Sequence, residues 1–530
     1  MDERHNHMPS LTPPMLHQTW AITKPQVQSA GGIVAAQHHE AAQIGADVLA
    51  AGGNAMDAAI TTALALSVVE PWLSGLGGGG FLLHASADGH VETLDFNLRA
   101  PLAVDAADYP LEGGAGGDWF NWPKVQGDSN LIGPLSICVP GAVAGFAEAL
   151  ARHGTLAWAE VLAPTIALAD RGMRVDWFAE LSFAIDTPGL LQNPHAAALF
   201  LDPAGRRQDP TDPTARLLPM PAKAAMLRRL AQNGAQDFYE GGVAADLLRD
   251  LQHVGAKITA ADLAAYKPSW NAPASAAYRD RMIHTIPGLS GGSSLLTTFA
   301  SLSALDMANA GEAQFATHHA TAIRAAYETR LQTMGHAAAA QDCTSHLSVV
   351  DRHGNMVSLT NTLLSRFGSK VVAPSLGLTL NNGMMWFDPR ADQPNSIASG
   401  AAPLANMAPV ITTRDGKPDI AIGAAGGRQI FPAIAQILSQ IIDRGATPEQ
   451  AMHAPRIDAS APTILVNRAA TTDTASAIAE YHPVQITEDS LYPVQFAIPS
   501  MVQAGRDGAQ NTGAVHPNNP WTAARVEDAR

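Results

Sequence analysis

A threonine at the head of a β-branched apolar run is the first residue here whose type and position could break a bond. Thr344 opens the segment Thr344-Ser345-His346-Leu347-Ser348-Val349-Val350-Asp351, directly after Cys343. A threonine hydroxyl is a poor nucleophile unless a base stands beside it. If the peptide bond before Thr344 breaks, the residue gains a free α-amine with a reference pKa near 8, and that amine can take the hydroxyl proton directly or through one water. Cleavage one residue earlier would make Cys343 the terminal nucleophile instead. Taken alone, a threonine before a strand is an ordinary strand residue. Other patterns are weaker. Gly75-x-Gly77-x-x-Gly80 has the form of a dinucleotide fingerprint, but it follows a helical pattern and precedes a strand, the reverse of what that motif needs. His38-His39-Glu40 has no usual metal-ligand spacing and reads as a helix start. His5, His7 and His17 fall in a proline-bearing N-terminal stretch, so no metal and no cofactor is expected.

The elements around Thr344 change character along the chain. Residues 1–28 read as a flexible arm, with Pro9, Pro13, Pro14 and Pro25. Gly31–Ala36 reads as a strand. His39–Ala51 reads as a helix stopped by Gly52-Gly53. Asn54 starts a second helix through Val69, ended by Glu70-Pro71, and Phe81–His84 reads as a buried strand. Residues 104–130 are polar and glycine-rich, the mark of a surface loop. Ala142–Arg152, Trp158–Arg171 and Ala310–Ala340 read as helices, and Thr259 three residues before Asp262 is a capping signal. Past Thr344, Leu347–Asp351 and Met356–Thr360 flank a Gly354-Asn355 turn, a hairpin signature. Ile420–Gly423 and Thr463–Val466 also read as strands. A helix-rich first two thirds thus precedes a strand-rich last third.

Bulk properties narrow the function classes. A chain of 530 residues suggests two modules or one large interlocked body. Its 46% apolar and 15% charged residues are a globular composition. A net charge of −15 without a long basic run argues against nucleic acid or an anionic membrane as partner. No apolar stretch reaches the ~18 residues of a membrane helix. Two cysteines, Cys138 and Cys343, cannot form a disulfide framework, so a cytoplasmic protein is expected.

Several ordered blocks resemble the γ-glutamyltransferase family of N-terminal-nucleophile hydrolases. The segment from Thr344 through Asn355 to Thr360-Asn361-Thr362-Leu363 resembles the family's nucleophile segment. Gly52-Gly53-Asn54-Ala55-Met56-Asp57-Ala58-Ala59 resembles its first helical signature. Val69-Glu70-Pro71 with Ser74–Phe81 resembles its glycine-rich segment. Val139–Phe146, Phe238-Tyr239-Glu240-Gly241 and Gly423-Ala424-Ala425-Gly426-Gly427-Arg428 follow in the family's order. The resemblance runs from about residue 30 to 460. It implies an α+β fold, a four-layer αββα sandwich, and a precursor that cuts itself into a large chain (29–343, after the arm) and a small chain (344–530). It implies Thr344 as nucleophile, Thr362 as the hydroxyl that supports it, and the backbone N–H groups of Gly426 and Gly427 as the oxyanion hole. His346 is read as structural rather than as a general base.

The substrate-reading positions leave the family pattern. Glutamyl-specific members carry Asp-aromatic-Arg-Glu-x-Ala-Pro, and here the block is Asp95-Phe96-Asn97-Leu98-Arg99-Ala100-Pro101. Asn97 stands at the arginine position, and Arg99, two residues on, is a candidate substitute. Arg366 is a second candidate for a substrate carboxylate. Leu364, Gly383 and Trp386 replace the groups that meet the donor's amine, and Ala405 and Asn406 replace paired serines. The stretch from Phe387 to Pro403 is short for a lid loop. The expected activity is therefore hydrolysis of a small-molecule amide, of a small carboxylic acid or a γ-glutamyl compound, through an acyl-enzyme on Thr344. The alternatives are an oxamate-type amidohydrolase without γ-glutamyl activity and an unprocessed binding protein of the same fold. The processed heterodimer is compatible with a homo-oligomer.

Overall fold

Caps and breakers in the sequence set the first elements. A computed structural model describes residues 21–112, 123–212, 214–335 and 342–527. The first helix, His39–Ala50, starts where the His38 ring accepts from the Glu40 N–H. The second, Ala55–Val69, starts at a capping box in which the Asn54 side chain accepts from the N–H groups of Met56 and Asp57. Every residue of this second helix is buried, as its almost uniformly apolar sequence requires. Trp158–Arg171 also matches its expected bounds, and Glu312–Thr333 occupies the alanine-rich stretch read as Ala310–Ala340, whose last five residues lie outside the described ones.

Fourteen strands build two seven-stranded sheets. In chain order they are β1 Val27–Ser29, β2 Ile33–Ala36, β3 Gly79–Ala85, β4 Val91–Phe96, β5 Ser269–Asn271, β6 Ala274–Tyr278 and β7 Arg281–Thr285. There follow β8 Asp342–Val350, β9 Met356–Ser365, β10 Val410–Arg414, β11 Lys417–Ala425, β12 Ile498–Gln503, β13 Asn511–Val515 and β14 Ala523–Val526. One sheet runs β1-β13-β12-β11-β10-β7-β6 and the other β14-β2-β8-β9-β3-β4-β5.

Period-two alternation sorts the strand residues into layers. In β2, Val34 and Ala36 join a core under the helices, while Ile33 and Ala35 join a core between the sheets. A third core lies between the first sheet and a helical layer that includes Gly292–Ser303, Glu312–Thr333 and Ile430–Arg444. The architecture is helix, sheet, sheet, helix: the four-layer αββα sandwich. Strand β8 lies in the middle of the second sheet, between β2 and β9. Strands from both sides of Thr344 in sequence share each sheet, so residues before and after it form one interlocked body rather than two modules.

The expected 1–28 arm needs correction over its described part. Residues 1–20 lie outside the described ones, but residues 21–28 are held down. Val27–Ser29 pairs with β13, the Lys24 ammonium donates to the carbonyl of Thr522 at 2.8 Å and to its hydroxyl at 2.7 Å, and the Gln26 N–H donates to Glu449 at 2.9 Å. No helix among the described residues is long and apolar enough to cross a membrane.

The glycine-rich segment is a close backbone approach. A Cβ on Gly78 would stand 2.1 Å from the Thr362 carbonyl oxygen, and one on Gly80 would stand 2.0 Å from that of Thr360. Only glycine lets β3 and its entry loop lie so tightly against β9. A Gly78→Ala variant is therefore expected to lose about 1–3 kcal/mol of stability, read as a lower denaturant midpoint. An unchanged midpoint would contradict the close approach.

The end of the Ala55–Val69 helix meets β8 through a buried acid. Glu70 is fully buried, and its carboxyl accepts from the Ser345 hydroxyl at 3.1 Å. Burial pushes its pKa up to about 8, opposed by the Ser345 hydrogen bond and the Arg366 charge. The folded protein thus binds this proton more tightly than the unfolded chain, so this group's contribution to stability is present at acid pH and is lost as pH rises from the unfolded pKa through about 8. Glu70→Gln removes that proton, and the loss of melting temperature between pH 5 and pH 8 is expected to be smaller in the variant. Identical losses in both proteins would contradict a neutral Glu70.

Candidate active site

Thr344 lies at a break in strand register. Ser345 pairs with Asn361 and Cys343 with Leu364, so the single residue Thr344 faces both Thr362 and Leu363. This is a β-bulge on β9. Leu363 turns its N–H out of the ladder to the Leu73 carbonyl at 3.0 Å, and Leu364 takes a left-handed backbone at φ +80°, unusual for a branched residue. The bulge places the Thr362 hydroxyl under Thr344. Thr362 Oγ1 accepts from the Leu364 N–H at 2.8 Å and from the Thr344 hydroxyl at 3.2 Å. Both threonines are buried, at 1% and 0% exposure, so the Thr344 hydroxyl is held in one orientation.

Gly426 and Gly427 close the site from β11. The strand ends at Ala425, and both glycines have positive φ, +134° and +55°. A Cβ on Gly426 would meet the Ala497 Cα at 2.8 Å. Gly427 opens the short turn Gly427–Gln429, whose first N–H groups have no acceptor within the turn. Thr344, Gly426, Gly427 and Arg366 border one cavity of about 280 Å³. A threonine, two glycines and an arginine bordering one cavity are the residue types that can attack a carbonyl, stabilise the resulting oxyanion through backbone N–H groups and anchor an anion.

The candidate substrate residues separate. Arg366 is on the cavity wall, its Nε paired with Asp186 at 2.8 Å and its side chain 11% exposed. Arg99 is not on that wall. Its guanidinium folds back on its own turn, donating to the carbonyl of Leu98 at 2.9 Å and meeting Asp95 at 3.3 Å. Asn97 is buried, with its amide donating to the Pro403 carbonyl at 3.3 Å. The Asn406 side chain accepts from the buried Arg330 at 3.1 Å. Trp386 and Leu364 are buried in the core between the sheets with Met384 and Met385. Gly383 packs against Cys138, whose Sγ would lie 2.5 Å from an added Cβ. Of the residues at the family's donor-reading positions, none borders the cavity.

His346 is fully occupied. Its Nδ1 meets the Thr360 hydroxyl and its Nε2 the Ser348 hydroxyl, both at 2.9 Å. Burial pushes its pKa down to about 3. It belongs to a polar row between the sheets, in which the Ser358 hydroxyl donates across to the Ile422 carbonyl at 3.0 Å.

Four cavity or near-site features escaped the sequence reading. Glu70 sits behind Ser345, as described. Asp458 lines the cavity; burial pushes its pKa up to about 6, opposed by hydrogen bonds from Ser460 and Gln429. Asp489 and His516, also on the wall, bond to each other at 2.8 Å. Trp72 follows the helix end at Glu70-Pro71 and forms another part of the wall. An acid ending an otherwise apolar helix was the one visible signal for Glu70; the others come from segments with no local pattern. Away from the cavity, His84, Glu92 and His153 bring potential ligand atoms within 4.8 Å of one another. There the Glu92 carboxylate is already shared between Arg152 and His153.

Known proteins are similar to this chain in sequence and in fold. The family model described as gamma-glutamyltranspeptidase matches residues 41–341 and 337–510. A glutathione hydrolase proenzyme of Pseudomonas sp. (strain A14) is 30% identical over 500 residues, covering 83% of this chain and 84% of that protein. An acylase ACY 1 proenzyme of Pseudomonas sp. (strain SE83) is 31% identical over 465 residues, covering 80% and 82%. The crystal structure of a cephalosporin acylase from Bacillus halodurans superposes with a TM-score of 0.85 at 24% identity, covering 97% of this chain and 99% of that one, a likeness of fold. The chain belongs to the gamma-glutamyltranspeptidase family, hydrolases and transferases of the N-terminal-nucleophile type.

Proposed function

We propose that the chain cuts itself before Thr344 and then hydrolyses an amide of a small carboxylic acid through an ester on the Thr344 hydroxyl. The observation that carries this reading is the Thr344 hydroxyl, hydrogen-bonded to Thr362 at 3.2 Å and bordering the same cavity as Gly426 and Gly427. In maturation, Thr344 Oγ1 attacks the Cys343 carbonyl, the peptide bond becomes an ester, and water hydrolyses the ester. Residues 1–343 and 344–530 then stay associated through their shared sheets. In turnover the freed α-amine takes the hydroxyl proton as Oγ1 attacks the substrate carbonyl. The oxyanion forms against the glycine N–H groups, and its collapse expels the amine, which leaves with that proton. Water, deprotonated by the same α-amine, then attacks the ester and frees the acid. The glutathione hydrolase and acylase relatives support amide cleavage as the reaction class. A cytoplasmic place is part of the same proposal, supported by the free, buried thiol of Cys138.

The pocket chemistry favours an acyl group without an α-amine. The family's ammonium-meeting positions offer that cation no partner here: Leu364 and Trp386 are apolar and lie in the core between the sheets, off the cavity wall. A carboxylate is matched instead by Arg366, which Asp186 and the cavity wall hold in place. The substrate class is then the monoamide of a small dicarboxylic acid, of which oxamate is the smallest.

Side-by-side hydrolysis of oxamate and a γ-glutamyl anilide tests this reading. Oxamate is expected to give the higher kcat/KM, and a glutamyl preference of tenfold or more would overturn the pocket assignment. Arg366→Ala is expected to raise the KM for oxamate about tenfold or more, the loss of one charge-assisted bond, and Arg99→Ala to change it little. The opposite pattern would transfer the anchor to Arg99.

A further inference from the structure

The cavity beside Thr344 offers more than a small dicarboxylic monoamide uses. Thr344, Gly426 and Gly427 border it, as do the two arginines Arg366 and Arg428. The two acids on its wall are already engaged: Asp458 accepts from the Ser460 hydroxyl at 2.8 Å, and Asp489 is bonded to His516. Much of the remaining wall is apolar, built by Trp72, Leu73, Phe178, Leu465, Val494 and Phe496. Trp72 and Phe496 are buried and fixed by their surroundings. Leu465 projects from the short strand Ile464–Asn467, whose alternate residues Ile464 and Val466 point into the helical core on its other side.

A primary amide such as oxamate, with its carboxylate at Arg366 and its carbonyl oxygen at the glycines as proposed above, has no apolar group to set against this part of the wall. Apolar walls left wet forgo the burial that makes a pocket bind. The acyl half already has its anchor. What remains to fill the apolar volume is the substituent on the amide nitrogen, the part that departs when the ester forms.

Resting on the hydrolase reading above, we infer that the natural substrate is an N-substituted monoamide whose leaving amine carries a bulky apolar group, branched alkyl or aryl, seated against Leu465, Val494 and Phe178. The enzyme then releases an apolar primary amine together with the small diacid. The reaction that supplies this substrate must condense such an amine with an activated dicarboxylic acid.

The test uses matured enzyme with N-cyclohexyl oxamate and N-methyl oxamate. Their leaving groups are alkyl amines of similar basicity, so the pair differs mainly in apolar bulk. The cyclohexyl compound is expected to have a kcat/KM at least tenfold higher. Leu465→Trp and Val494→Trp, each confirmed as matured and folded, are expected to lower the cyclohexyl-to-methyl ratio fivefold or more. An equal ratio in the wild type, or hydrolysis of oxamate with rejection of both N-substituted compounds, overturns the inference and leaves the hydrolase reading standing. A matured enzyme that cleaves none of the three overturns both.

Discussion

One irregular pairing sets the geometry of the site. Between Cys343 and Ser345 the ladder of β8 and β9 slips, so that Thr344 faces Thr362 and Leu363 together. A ladder continued regularly from Ser345 and Asn361 would pair Cys343 with Leu363; the extra residue brings Leu364 there instead. The slip is held from outside the ladder. The Leu73 carbonyl takes the Leu363 N–H, and Thr362 Oγ1 takes that of the strained Leu364. The loop after Glu70 therefore does two jobs, since Leu73 pins the bulge and both Trp72 and Leu73 form cavity wall.

The sheets around this slip are tuned to keep it fixed. Gly78 before β3 and Gly80 within it allow a backbone approach that no side chain would permit, pressing on the carbonyls of Thr362 and Thr360. Between the sheets, the row of His346, Ser348, Ser358 and Thr360 replaces apolar contacts with hydrogen bonds of fixed direction. A buried polar row of this kind is costly unless its members are paired, and here its bonds specify how the sheets sit on each other. Gly423 belongs to the same fit: a Cβ there would stand 2.3 Å from the His346 ring. Position at Thr344 is thus a property of both sheets, which explains why residues before and after it must fold together.

Much of this was legible in the sequence where local rules govern. The Asn54 cap, the apolar Ala55–Val69 run and the Gly354-Asn355 turn each name their structure, and the order of the blocks placed Thr344, Thr362, Gly426 and Gly427. What was not legible depends on packing over long distances. Nothing local marks Arg366 as facing the cavity while Arg99 folds back onto Asp95, because the difference rests on Asp186, far away in sequence. Trp386 looked like a pocket residue by position, yet it lies in the core between the sheets, where its large apolar surface finds Met384, Met385 and Leu364. The docked segment 21–28 shows the same limit: prolines and polar residues read as a loose arm until the acceptors on Thr522 and Glu449 come into view.

The central claim is that the Thr344 hydroxyl attacks twice, first on its own chain and then on substrate. Intact-mass analysis with N-terminal sequencing of the purified protein tests it most directly. The account predicts two chains, residues 1–343 and 344–530, the smaller beginning with Thr344, and a single uncut, inactive chain in Thr344→Ala. A small chain that begins elsewhere, or an uncut chain that still hydrolyses amides, would contradict it.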